Sequence, residues 1–143
     1  MPTRYAEAVW NGSLREGSGN VKLESGLLDT SYDRVSRFET GDKTNPEELL
    51  GAAHSSCYAM FLSAILSGDN FKVNTITTRA DVTVTPGGVS PTITEITLTV
   101  EGDVDGIDEA KFLEYAQRAK ELCPISKSLA SVQTINLNAK LVS

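Results

Sequence analysis

The stretch from Asn45 to Leu66 constrains this chain more than any other. It opens Asn45-Pro46-Glu47-Glu48, in which Asn can cap a helix, Pro fits the first helical position, and two acids complement the positive end of the helix dipole. From Leu49 to Leu66 nearly every residue is apolar or small, and Ser67-Gly68 stops the run. A helix that is apolar nearly all round is expected to be buried on most faces. Its length also approaches that of a membrane span. His54, Ser55, Ser56 and Ser63 interrupt it, however, and Gly51 with its neighbouring alanines dilutes it, which favours the core helix of a soluble protein.

The rest of the chain reads as strands and two further helices. Arg4 to Trp10 alternates, Asn11-Gly12 supplies a turn, and Gly17-Ser18-Gly19-Asn20 supplies another before Val21 to Glu24. Tyr32 to Phe38 reads as a third strand and Gly41 to Thr44 as an exposed loop. Val73 to Thr85 and Thr92 to Glu101 alternate in Thr, Val and Ile around Pro86-Gly87-Gly88, the pattern of a long hairpin. Asp108 to Leu122 is an amphipathic helix broken at Cys123-Pro124. A short helix over Ile125 to Ala130 and a closing strand over Thr134 to Val142 follow. With no internal repeat or linker, residues 1–143 are expected to form a single α+β domain, with antiparallel sheets packed on a central buried helix.

Charge narrows the partners. A formal net charge of −6 and the lack of any basic stretch argue against nucleic acid or an anionic membrane, since phosphate recognition needs clustered Lys and Arg. Met1 to Trp10 lacks the basic and apolar segments of a secretory leader, so a cytoplasmic protein is expected. The 2 cysteines are too few for a secreted disulfide scaffold. They are also too few for structural zinc unless His54 and a carboxylate complete the set.

Taken alone, Cys57 reads more readily as a small core residue, and Cys123 as an incidental small residue at a helix end, than either does as a reactive thiol. A nucleophilic thiol must be ionised, and a free cysteine with a pKa of about 8.5 is mostly protonated at neutral pH. It therefore needs a cation, and the cation needs an orienting carboxylate. Arg37, in SRFET, and Glu47 are the candidates, although the residues alone also fit an ordinary surface arginine and a helix-start glutamate.

Arg37 to Met60, RFETGDKTNPEELLGAAHSSCYAM, closely resembles the signature of the OsmC/Ohr family (osmotically inducible protein and organic hydroperoxide resistance protein). Ala119 to Leu129, AKELCPISKSL, resembles that family's second cysteine motif. The OsmC branch fits better, because Arg37 stands in an Arg-Phe-Glu segment, whereas Ohr-like sequences carry their arginine in an earlier glycine-rich loop. Arg15, in GSLREGSG, is the competing cation.

The resemblance implies an OsmC-like fold, an intertwined homodimer and a thiol-dependent peroxidase with Cys57, Cys123, Arg37 and Glu47 as its catalytic residues. Cys57 would attack a hydroperoxide and become a sulfenic acid. Cys123 would then close a Cys57–Cys123 disulfide, and an external dithiol of the lipoyl type would reopen it. No cofactor, whether metal, flavin or haem, is implied. Phe38 is expected at the mouth of the site, favouring organic hydroperoxides over hydrogen peroxide.

Spacing adds an independent expectation. Glu47 and Cys57 are ten residues apart on one helix, hence roughly 15 Å in rise and about 80° around it. They cannot touch, so help for Cys57 from Arg37 and Glu47 is expected across a subunit boundary. His54 shares a helix face with Cys57 and is expected to be a hydrogen-bonded structural residue. Two other readings stay open, a small-ligand-binding stress protein with inert thiols and a metal site built from Cys57, Cys123, His54 and a carboxylate.

Overall fold

Alternation and turn chemistry build the first of two units in the computed structural model, which describes residues 1–143. This unit is Met1–Leu49 and the second is Leu50–Ser143. In the first, β1 (Ala6–Asn11), β2 (Ser18–Leu23) and β3 (Asp29–Tyr32) form an antiparallel meander in the order β1-β2-β3. Gly12 takes a positive φ of 92°, as the Asn-Gly pair anticipates. The strand expected over Tyr32 to Phe38 is not formed. Asp33 accepts a hydrogen bond from the Ser36 backbone N–H at 2.8 Å and caps a short helix, α1 (Arg34–Phe38), so a local side-chain bond ends the strand. Few side chains here are buried. Val21 is the one buried apolar residue, whereas Tyr5, Val9, Leu14 and Leu27 are exposed.

Helix α2 (Pro46–Gly68) starts as the sequence indicates, with Asn45 accepting the Glu48 N–H at 2.8 Å. It buries one stripe. His54, Tyr58, Leu62 and Leu66, spaced four residues apart, are fully buried. Ala52, Ser56, Met60 and Ala64 form an exposed stripe, with Met60 at 74%. The expectation of burial on most faces is thus met on one face only. Small and thioether side chains read as core by hydropathy, but a straight helix can turn only one of its stripes toward a given core. By length and composition α2 could span a bilayer, yet His54 and Tyr58 hydrogen-bond to residues of α4 (Pro124–Ser128) and α3 (Glu109–Leu122).

In the second unit β4 (Lys72–Thr85) and β5 (Thr92–Asp105) form the anticipated long hairpin, turning through Gly87 and Gly88 at positive φ. After α3, capped by Asp108, and α4, the chain enters β6 (Thr134–Leu141). This strand pairs parallel to β5, from Glu95↔Thr134 to Gly102↔Leu141, in a sheet of order β4-β5-β6. The sheet is therefore mixed where antiparallel pairing alone was expected. The two-helix crossover brings the chain back to the starting end of β5, and only a crossover of that kind joins parallel neighbours. The α+β class stands.

The core lies between the inward residues of β5 and the helices. Ile96, Leu98, Val100 and Val104 alternate inward and meet Phe112, Tyr115 and Ala119 of α3 together with Tyr58, Leu62 and Leu66 of α2. Each fully buried Leu, Ile, Val or Phe contributes roughly 1.5–3 kcal/mol relative to exposure. Gly102 lets α3 approach, since a Cβ there would lie 2.4 Å from the fully buried Phe112 ring. Gly102→Ala should lower stability by roughly 1–3 kcal/mol. Urea denaturation, read as a lower midpoint at unchanged slope, checks this.

Candidate active site

Proline chemistry places one cysteine and helix geometry places the other. Pro124 disfavours helical backbone at the residue before it, and Cys123 adopts φ −58° and ψ 133° between α3 and α4. Its N–H donates to Ala119 O at 2.9 Å, closing α3, and its Sγ accepts the Ser126 N–H at 3.4 Å, opening α4. Cys57 lies mid-way along α2, beside the buried stripe. Both thiols are free, Cys123 fully buried and Cys57 partly exposed, and their sulfurs stand 3.7 Å apart. Above Cys57 opens a hollow of about 570 Å³ walled by Ala53, Met60, Phe61, Ala64, Pro124 and Ile125.

The electrostatics of the second unit do not favour the reactive form of Cys57. Burial pushes its thiol above the ordinary value, the Ile125 backbone N–H pulls it back, and neighbouring Cys123 adds to the rise. No lysine or arginine of the second unit acts on it.

The first unit holds the cation and carboxylate singled out in the sequence. Arg37, ending α1, and Glu47, opening α2, form a forked pair. Arg37 Nε lies 3.2 Å from both Glu47 oxygens and Nη2 lies 2.9 Å from Oε1. Glu47 is buried while Arg37 keeps a partly exposed side chain. Two parallel N–H···O bonds fix the plane of the guanidinium as well as its distance. Asn45 Nδ2 donates to Ser36 O at 2.9 Å, and Ser36 Oγ accepts the Lys43 N–H at 3.0 Å, pinning the loop that joins α1 to α2. Phe38 packs under Arg37, with the guanidinium carbon 5.1 Å from its ring centre. Arg15 sits exposed in the connection between β1 and β2.

His54 has the bonded, buried character expected of it. Its Nε2 lies 2.7 Å from Ser126 Oγ, and its Nδ1 is buried without a partner. Burial holds its pKa below the ordinary value, because a protonated ring would leave a charged N–H unsatisfied in the core. Three participants escaped the sequence reading. Met60 and Phe61 fall within the apolar run of Leu49 to Leu66, and Ser126 falls within the second cysteine motif, with nothing in their residue types to single them out. The Ser126 bond to His54 joins positions 72 apart in sequence, a separation at which spacing carries no signal.

Neutral burial of His54 has a pH consequence. The unfolded chain takes up a proton near pH 6.5 and the folded chain resists it, so the unfolded state binds more protons and stability rises with pH. Stability should therefore be full above about pH 6.5 and decline as the pH falls below it. Denaturant midpoints at about pH 7.5, 6.5 and 5.5 should fall for the wild type and stay nearly level for His54→Gln.

Residues 39–138 match the sequence model of the family described as OsmC-like protein. Peroxiredoxin OsmC of Escherichia coli is 40% identical over 138 residues, covering 96% of each chain. An organic hydroperoxide resistance protein of Xanthomonas axonopodis pv. citri is 28% identical over 129 residues, covering 88% of this chain and 85% of that one. Among solved structures, an OsmC-like protein from Mycoplasma pneumoniae superposes with a TM-score of 0.77 at 18% identity, covering 99% of both chains. The organic hydroperoxide resistance protein OhrB of Bacillus subtilis gives a TM-score of 0.70 at 22% identity, covering 96% of this chain and 97% of that one. At these identities the solved structures share the fold, and the family match and the Escherichia coli relative carry the assignment. The chain belongs to the OsmC-like protein family.

Proposed function

We propose that this protein is a thiol-dependent peroxidase that reduces organic hydroperoxides, and hydrogen peroxide more weakly, through Cys57. The observation that carries the reading is a pair of free thiols on separate elements, 3.7 Å apart, at the foot of an apolar hollow. The names of the relatives, a peroxiredoxin and an organic hydroperoxide resistance protein, agree with it. In the first step the Cys57 thiolate attacks the outer peroxide oxygen. The O–O bond breaks, sulfur gives up two electrons, and the departing alkoxide takes a proton to become the alcohol. In the second, Cys123 displaces hydroxide from the Cys57 sulfenic acid, forming the disulfide and water. An external dithiol, of the lipoyl type, then restores both thiols by exchange. The apolar walls of the hollow favour an alkyl group on the peroxide. A reducing compartment, the cytoplasm, suits a disulfide that must be reopened on every turnover.

Cys57 needs a cation to ionise, because burial acts against its thiolate. We infer that Arg37 and Glu47 of a partner subunit supply it in an intertwined homodimer. Three observations support this. Arg37 is forked onto a buried carboxylate yet keeps an exposed side, the first unit leaves Tyr5, Val9, Leu14 and Leu27 exposed, and α2 keeps an uncovered stripe. Two subunits exchanging these surfaces would cover both.

Reduced protein given one equivalent of cumene hydroperoxide should lose about two mass units, mapped to a Cys57–Cys123 link and absent in Cys57→Ser. Unchanged thiols in folded protein would favour instead a ligand-binding role for the hollow. An Arg37→Ala variant should lose about one to two orders of magnitude in peroxide reduction at unchanged fold. Mixing Arg37→Ala with Cys57→Ser chains, each inactive or nearly so, should restore activity if the two residues act across subunits. A mixture as inactive as its components would place them in one chain.

A further inference from the structure

The proposed cycle leaves the buried bond between His54 and Ser126 without a use. We propose that His54, acting through Ser126, is a positioning residue for the resolving step, holding the Cys123–Ser126 turn so that Cys123 closes on an oxidised Cys57. This rests on the peroxidase reading of the two cysteines.

Cys123 belongs to two helices at once. It ends α3 through its N–H and begins α4 through its Sγ, while its carbonyl accepts the Lys127 N–H at 3.0 Å. The direction of its sulfur therefore depends on where both helices stand relative to α2. Besides the Ile125 backbone N–H that faces Cys57, each is tied to α2 by a buried side-chain bond. Tyr58 Oη donates to Ala116 O of α3 at 2.8 Å, and His54 Nε2 meets Ser126 Oγ of α4 at 2.7 Å. The two anchors lie four residues apart on α2, and Cys57 lies between them in sequence.

The His54 anchor is chemically expensive for a core. A buried imidazole costs free energy unless bonded, and this ring satisfies only one nitrogen. A leucine in the same stripe would pack without that penalty, as Leu62 and Leu66 do. What the ring adds is direction. The α4 helix is only 5 residues long, and its Ser128 hydroxyl bonds back within the same segment to Pro124 O. Ser126 makes its side-chain bond outward to α2, and the Ser126 N–H is also the donor that holds Cys123 Sγ.

The reaction makes this direction matter. A disulfide needs the sulfurs at about 2.05 Å, so the present 3.7 Å gap must close before the bond can form. The Cys123 sulfur attacks the sulfenyl sulfur of Cys57, the S–S bond forms, the S–O bond breaks, and the Cys123 proton leaves with the hydroxide as water. The competitor is a second hydroperoxide, which oxidises the sulfenic acid irreversibly to sulfinic acid and is itself reduced to the alcohol. Whatever holds Cys123 in place sets the partition between the two fates.

The experiment separates the two chemical steps in Ser126→Ala, His54→Phe and His54→Gln, using cumene hydroperoxide on the full-length reduced protein. Quenched-flow mass spectrometry follows the sulfenic acid, trapped by dimedone, and the disulfide. Loss of the bond should slow disulfide formation about tenfold or more, while oxidation of Cys57 changes less than about threefold. Dimedone adduct and, at excess peroxide, sulfinic acid should then accumulate in Ser126→Ala and His54→Phe. His54→Gln, whose amide can still reach Ser126, should recover part of the disulfide rate. Disulfide formation at the wild-type rate in Ser126→Ala would overturn the proposal, and so would an equal fall in both steps in every variant. Should the wild type form neither adduct nor disulfide, the peroxidase reading itself fails.

Discussion

The second unit depends on one contact, the seating of a single stripe of α2 against the core made by β5 and α3. Tyr58, Leu62 and Leu66 supply its apolar part and His54 its polar part, all on one line of the helix. Because this stripe is fixed, Cys57 beside it is fixed too. The crossover that returns the chain to β6 passes directly through Cys123. The parallel pairing of β6 and the meeting of the two thiols are thus products of the same excursion. A hairpin in place of that crossover would remove both.

The two units divide the electrostatic work. Around the cysteines, burial and the neighbouring thiol both disfavour a negative sulfur, and only one backbone N–H opposes them. The charged pair lies in the first unit, where Glu47 takes up one edge of Arg37. A carboxylate buried at the start of a helix benefits from the dipole as well as from its guanidinium partner, which offsets the cost of removing it from water. Phe38 packs on Arg37 within the first unit, and within the second the apolar wall above Cys57 includes Met60, Phe61 and Ile125.

Much of this was legible in the sequence, for identifiable reasons. Asn45-Pro46-Glu47-Glu48 marked the start of α2 because capping is a local matter. The β4–β5 hairpin declared itself by strict alternation, and Cys123-Pro124 by the steric rule for residues before proline. The misses were cases where a competing local bond or a distant partner decided the outcome. Asp33 turned a stretch of apparent strand into α1 through one bond to Ser36. The parallel entry of β6 depends on the path of the crossover, which side-chain periodicity does not encode. Apolar composition did not reveal that α2 hides only one face, because hydropathy does not say which surfaces the same chain can cover.

The unequal exposure of the two thiols fixes the direction of the reducing step in the proposed cycle. Cys57 faces the hollow, while Cys123 has no accessible surface. An incoming dithiol can reach only the Cys57 sulfur, so Cys123 must be the leaving group when the disulfide opens. The mixed disulfide then forms on α2, and Cys123 is released as a thiolate already hydrogen-bonded to the Ser126 N–H. The regiochemistry of regeneration follows from where the chain buries its sulfurs, whatever the identity of the reductant.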